Sequence, residues 1–184
     1  MRALSDLFRH FLQLGYVTDD IDAAATYLQS RLGTVECRVH HGSSMGGGLP
    51  PSMGGEPGST WVVVDGKPAS EWVIDALLVN AGATNIEVIK PVSGAVDLYR
   101  EPVRPGAPIT LHHLGYRVDD FDEATDVVRA SGRSWAQYGE TAGIRMGYLD
   151  MRAEMGHYVE VMQLDEASAG RFAALEAASN RTPA

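Results

Sequence analysis

Gln13, Glu87, His113 and Glu160 are the residues of this chain whose types and placing could act together. Each glutamate stands between apolar neighbours, in Asn85-Ile-Glu-Val-Ile and in Tyr158-Val-Glu-Val-Met, segments that read as strands. An ionised carboxylate is costly to bury unless it is paired, hydrogen-bonded or metal-bound. An acid at the same place in two such strands therefore needs a partner, unless both point to solvent from a one-sided antiparallel sheet. Gln13 and His113 open two other strands. A neutral imidazole, two carboxylates and an amide oxygen suit one divalent ion per site, Zn²⁺, Ni²⁺, Co²⁺, Mn²⁺ or Fe²⁺, with positions left for water or substrate. His113 taken alone reads more often as a satisfied structural histidine than as a ligand, and His112 beside it is expected on the opposite face of its strand.

The elements that must position this set come in two copies. Leu111 to Asp122, LHHLGYRVDDFD, echoes Leu12 to Asp22, LQLGYVTDDID, at an offset of one hundred residues that sets Gln13 against His113. Leu14/Leu114, Gly15/Gly115, Tyr16/Tyr116, Asp19/Asp119, Asp20/Asp120, Asp22/Asp122 and Ala24/Ala124 are identical pairs. In each copy apolar and small residues alternate as in a half-buried strand, and the aspartate pair supplies a turn and a helix N-cap. Ile21, Ala24, Leu28 and Leu32, like Phe121, Ala124, Val127 and Val128, then recur at helical spacing, and Gly33 and Gly132 end the helices.

Composition narrows the partners. A chain of 184 residues that is 45% hydrophobic is globular and long enough for two small modules. A formal charge of −9 advertises no basic patch for nucleic acid or an anionic membrane. The single cysteine, Cys37, excludes an internal disulfide, and MRALSDLFRH has no signal-peptide core, so a soluble cytoplasmic protein is expected.

The rest of the chain falls into segments. Residues 1–10 form a short helical extension, 11–91 the first module, 92–110 a stiff proline-rich linker, 111–164 the second module and 165–184 a helical tail anchored by Phe172 and Leu175. Strands are expected at Thr34–His40, Trp61–Asp65, Glu71–Val79 and Asn85–Lys90, then at Arg133–Gln137, Gly143–Asp150 and His157–Gln163. Residues 41–59, HGSSMGGGLPPSMGGEPGS, read as a disordered insertion or as a flexible lid lined by Met45, Leu49 and Met53. Trp61, Trp72, Trp135 and Tyr138 are core or pocket wall. Arg117, Arg145 and Lys90 are surface charges or partners for an acidic substrate.

The paired modules, their H/Q-x-G-Y openings followed by Asp-Asp, and the Ile-Glu-Val and Val-Glu-Val closings resemble the vicinal oxygen chelate superfamily, which includes glyoxalase I, bleomycin resistance proteins, methylmalonyl-CoA epimerase and extradiol dioxygenases. The resemblance spans nearly the whole chain. It implies an α+β fold of two βαβββ modules forming an open, curled mixed sheet around a metal cleft, with Gln13, Glu87, His113 and Glu160 at the ligand positions. It further implies a metal-dependent isomerase, epimerase or lyase acting on a carbonyl-containing small molecule. The metal would act as a Lewis acid on a developing enolate, with Glu160 or Glu87 taking the α-proton. A non-catalytic small-molecule binding protein and, further off, an Fe²⁺ extradiol-type dioxygenase are the alternatives. The modules are expected to pair antiparallel, within one chain or by exchange between two, and a homodimer is compatible with both.

Overall fold

A computed structural model describes residues 3–33, 38–56, 58–141 and 143–179. The first half of the chain supplies β1 (Phe11–Val17), α1 (Ile21–Leu32), β2 (Arg38–Ser44), β3 (Trp61–Val64), β4 (Lys67–Pro68), β5 (Trp72–Ala81), β6 (Thr84–Gly94) and α2 (Asp97–Arg100). The second supplies β7 (Thr110–Arg117), α3 (Phe121–Ala130), β8 (Gln137–Thr141), β9 (Ile144–Asp150), α4 (Arg152–Met155), β10 (Tyr158–Leu164) and α5 (Glu166–Ser179).

These strands make one ten-stranded mixed sheet in the order β2-β5-β6-β1-β7-β10-β9-β8-β3-β4. The expected curled sheet of two βαβββ units is present: β1, α1, β2, β5 and β6 form one, and β7, α3, β8, β9 and β10 the other. They meet where β1 pairs antiparallel with β7, around Leu14 opposite Leu114. Each opening strand also lies parallel to its own closing strand, β1 to β6 and β7 to β10.

The repeated aspartates cap both helices. One oxygen of Asp20 accepts from the N–H groups of Asp22 and Ala23 at 3.1 and 3.0 Å, and one of Asp120 from those of Asp122 and Glu123, both at 2.9 Å. Gly33, at φ 62°, ends α1, while Gly132, at φ 77°, follows the Ser131 cap of α3. The apolar stripes behave alike. Ile21, Ala24 and Leu28 pack on Leu77, Val79, Ile86 and Val88, and Phe121, Ala124, Val127 and Val128 on Leu149, Val159 and Val161. A third cluster fills the other face of the sheet, with Val17, Trp72, Ile74, Ile89, Tyr99, Tyr148 and Tyr158.

Several boundaries differ from the sequence expectation. β3, expected within the first module, leaves that half and pairs antiparallel with β8, placing the β3–β4 hairpin on the far edge of the sheet. Residues 92–110 are not a bare linker. β6 continues through Pro91 to Gly94, because β1 pairing ends at Val17 opposite Ile89 and the missing proline N–H then faces no partner strand. Val96, Leu98 and Tyr99 follow, and all are buried. The strand expected from Arg133 starts only at Gln137, opposite Tyr148; before it, buried Trp135 stacks on Phe121 at 5.3 Å.

Of the strand expected at Thr34–His40, residues 34–37 lie outside the described residues, and β2 runs on through Ser44. Residues 41–59 are therefore partly built into the fold. Met45 is buried and its N–H donates to the Trp72 carbonyl at 3.1 Å; Pro51–Met53 form a 3-10 turn. Gly48 is required there by contact, since a Cβ would lie 2.1 Å from the Thr60 carbonyl oxygen. At the ends, Leu4–Phe8 form a 3-10 turn whose Leu7 enters the core of the second half, and α5 carries half-buried Phe172 and Leu175 back against β5 and β6. Of the helical tail expected at 165–184, α5 spans Glu166–Ser179, and residues 180–184 lie outside the described residues.

Candidate metal centre

The inner face of the sheet brings Gln13, Glu87, His113 and Glu160 together. Gln13 and Glu87 come from neighbouring β1 and β6, His113 and Glu160 from β7 and β10. The Gln13 amide Nε2 donates to Glu160 Oε2 at 2.9 Å and to Glu87 Oε2 at 3.2 Å, and lies 3.4 Å from His113 Nε2. His113 Nε2 is 3.2 Å from Glu160 Oε2 and 3.4 Å from Glu87 Oε2. Ligand atoms of Glu87, His113 and Glu160 all lie within 4.8 Å of one another. His113 and Glu160 are sealed at 0% and 2% side-chain exposure, and Glu87, at 17%, is the member that reaches solvent.

The cluster is rich in acceptors. Two carboxylates and an imidazole nitrogen surround the Gln13 amide, whose Oε1 is buried with no hydrogen-bond partner. Turning the amide end for end would add that oxygen to the group, since the two atoms occupy similar space. Atoms about 2.1 Å from a common centre lie about 3.0–3.4 Å apart at octahedral or tetrahedral angles. The five separations above run from 2.9 to 3.4 Å, so the donor set fits a divalent ion in both chemistry and size.

Charge inside the cluster follows the same logic. Burial alone would push the His113 imidazole down, but Glu160 and Glu87 outweigh it and raise its pKa to about 9. Burial pushes the Glu87 carboxyl up, and the charge of Glu160 adds to that despite hydrogen bonds from His113 and Gln13. Without a metal, a proton on His113 is the cation that holds the carboxylates together.

His112 corrects a sequence expectation. It does not point away from His113, because β7 bulges there: Gly15 opposes His113 while Tyr16 opposes Leu111, leaving His112 as the extra residue. A bulge turns two successive side chains toward one face. The Nδ1 atoms of His112 and His113 lie 2.9 Å apart, and His112 Nε2 is 3.0 Å from the Leu98 carbonyl oxygen. Burial and the neighbouring His113 charge hold the His112 pKa well below the usual value, so this imidazole is neutral. β1 carries a matching irregularity at Leu12, between Phe11 and Gln13.

Four further residues complete the interior and were not singled out for this role by their sequence context. Trp72 Nε1 donates to Gln137 Oε1 at 3.2 Å, and Gln137 Nε2 to the Tyr99 hydroxyl at 2.7 Å. Tyr99 packs edge-on against Tyr148, which faces Glu160 across the β9–β10 pair. Burial, then the Glu160 charge, holds the Tyr148 hydroxyl well above its usual pKa and so protonated. Hairpin register could have found Tyr148, but nothing marked Tyr99, which lies in the expected linker.

The remaining candidates lie elsewhere. Trp61, Trp135 and Tyr138 line a separate cavity of about 1220 Å³ beside α3, to which none of the four cluster residues contributes. Arg145 pairs with Asp122 and lies over the Phe121 ring, Lys90 reaches Asp75 at 3.4 Å, and Arg117 is exposed. Leu49 and Met53 are exposed. Among the described residues no helix is long and apolar enough to cross a membrane.

A curled sheet of two βαβββ units with an acid-and-histidine cluster on its inner face is the architecture of one large superfamily. Residues 12–148 match the Glyoxalase/Bleomycin resistance protein/Dioxygenase superfamily, and the chain belongs to it. Among solved structures it is similar to methylmalonyl-CoA epimerase from Mycobacterium tuberculosis, at 15% identity over 88% of this chain and 91% of that one, with a TM-score of 0.52. A methylmalonyl-CoA epimerase in complex with methylmalonyl-CoA and NH4+ shares 14% identity over 86% and 96% of the two chains, with a TM-score of 0.53. A Streptomyces coelicolor epimerase variant bound to 2-nitronate-propionyl-CoA also has 14% identity over 86% and 96%, and a TM-score of 0.53. At such identities the likeness is one of fold. A comparison with curated proteins finds no match.

Proposed function

We propose that this protein is a divalent-metal-dependent isomerase, epimerase or lyase that removes a proton α to a carbonyl, with Gln13, Glu87, His113 and Glu160 holding the metal. The observation that carries this reading is the convergence of two carboxylates, an imidazole and an orphaned amide oxygen on the inner face of the sheet. A bound divalent ion supplies Lewis-acid polarisation of a carbonyl oxygen.

The chain's own groups divide the remaining work. Glu87 is the partly exposed carboxylate and Glu160 the sealed one, which favours Glu87 for taking the proton, at Oε1, since its Oε2 faces the metal position; burial also raises the Glu87 pKa. Glu160 is sealed beside Tyr148 and orients His113. Val96, Leu98 and Tyr99 exclude water from the inner face. The CoA thioesters named for the similar epimerases make 2-substituted acyl-CoA esters the first substrates to try.

The test joins metal analysis to isotope exchange. Mass spectrometry of the purified and reconstituted protein should find about one divalent ion per chain, and the loaded protein should exchange the α-hydrogen of a 2-substituted acyl-CoA with deuterated water. Glu87→Gln and Glu160→Gln should each abolish exchange while the circular dichroism stays that of the parent. Full exchange in either variant, or no metal after reconstitution, would overturn the assignment. The aromatic cavity lined by Trp61, Trp135 and Tyr138 favours a second reading, non-catalytic small-molecule binding, which a metal-free protein with tight ligand affinity would support.

A further inference from the structure

We infer that His112 is a positioning residue that sets the tautomer of His113 and so presents its Nε2 lone pair to the Gln13–Glu87–Glu160 cluster. The inference rests on the metal reading of that cluster and adds to it a residue outside the ligand set.

The argument starts from a carbonyl. The Leu98 oxygen can only accept, so the 3.0 Å contact from His112 Nε2 requires a hydrogen on that nitrogen. That leaves Nδ1 as the His112 nitrogen turned toward His113. An imidazole that binds an ion through Nε2 keeps its hydrogen on Nδ1, so in the 2.9 Å contact between the two Nδ1 atoms His113 donates and His112 accepts. A neutral His113 with Nδ1–H has its lone pair on Nε2, the atom that lies 3.2 and 3.4 Å from Glu160 and Glu87. One backbone carbonyl thus decides, through two rings, which nitrogen of His113 is free.

The fold holds this relay rigidly. His112 is 2% exposed and stacks on Tyr158 at 4.8 Å between ring centroids, with Tyr99 and Tyr148 also against it. The bulge that turns it beside His113 has its counterpart in β1, where the extra residue is apolar Leu12. The difference follows the ligand chemistry, since the Gln13 amide has no tautomer to set. Leu98 lies within α2, so the segment that covers the inner face also supports the ligand.

Partners that orient a metal-bound histidine are worth about 10- to 100-fold in affinity, so His112→Leu should weaken Zn²⁺ binding by that factor in a chelator-competition titration. In His112→Asn an amide oxygen takes the place of Nδ1, and most of the affinity should return. In the Zn²⁺-loaded parent, ¹⁵N spectra should show His113 protonated at Nδ1; that signal should shift or exchange rapidly in His112→Leu and persist in His112→Asn. Parent-like affinity and an unchanged His113 signal in His112→Leu would overturn the inference while leaving the metal site standing. A bare Nδ1 in the loaded parent would overturn it without any variant, as would tenfold weaker binding in folded His112→Asn if His112→Leu does not fold. A parent that binds no Zn²⁺ would overturn the metal reading and this inference with it.

Discussion

Gly15 stands opposite His113 across the β1–β7 pair, and the histidine ring occupies the space a side chain would need: a Cβ on residue 15 would lie 1.8 Å from His113 Cε1. Gly115 stands likewise opposite Gln13, where a Cβ would meet Gln13 Cγ at 2.6 Å and Glu160 Oε2 at 3.3 Å. Neither glycine has a positive φ. The repeated glycine therefore serves clearance, each copy of the motif making room for the cluster residue carried by the other.

Gly15→Ala should drive His113 out of the cluster. Overpacking of this kind costs about 1–3 kcal/mol, which urea denaturation will read, and Zn²⁺ binding should be lost. Gly115→Ala should be milder, because the flexible Gln13 side chain can yield. Equal metal affinity in Gly15→Ala and the parent would contradict the geometry.

Stability of the metal-free protein should fall as pH rises. The folded-state pKa of His113, about 9, exceeds the ordinary value of 6.5, so its ion pairs contribute fully below pH 6.5 and are lost as pH climbs through about 9. Glu87, also raised, acts with the same sign, favouring its protonated form in the fold, with loss beginning above its ordinary 4.5. The combined loss should be on the order of 1–3 kcal/mol, seen as a falling thermal midpoint of chelator-treated protein. An ion must displace the His113 proton, so metal affinity should rise across the same interval. A flat thermal midpoint would show that the cluster is not charged in this way.

The two capping aspartates should matter equally. Asp20→Ala and Asp120→Ala each remove a side chain that accepts from two helix N–H groups, and each should cost about 1 kcal/mol in urea denaturation. Asn at either position should recover most of that. A cost confined to one helix would show that the copies no longer bear equal load.

What the sequence disclosed and what it withheld divide along a physical line. The openings, caps and helices repeat at a fixed offset and depend on neighbours within a few residues, so Asp20, Asp120 and the stripes from Ile21 and Phe121 could be read locally. Gln13, Glu87, His113 and Glu160 were legible as a set because the duplication aligns them. The bulge at His112 depends on pairing with β1, and the placing of β3 beside β8 on which sheet edge lies open, neither of which a single strand encodes. Pro91 and its neighbours suggested a stiff spacer, whereas Leu98 and Tyr99 are held by packing partners far along the chain.

The segments that stray from their own half have a consequence for the whole. Leu7 precedes the first unit yet packs in the second, the β3–β4 hairpin edges the second unit's end of the sheet, and α5 returns from the second to lie against the first. Cutting the chain near Gly106 would leave each fragment with an exposed edge and an unfilled core. The two copies of the motif are thus interleaved rather than side by side, and the cluster between them is assembled only when both are complete.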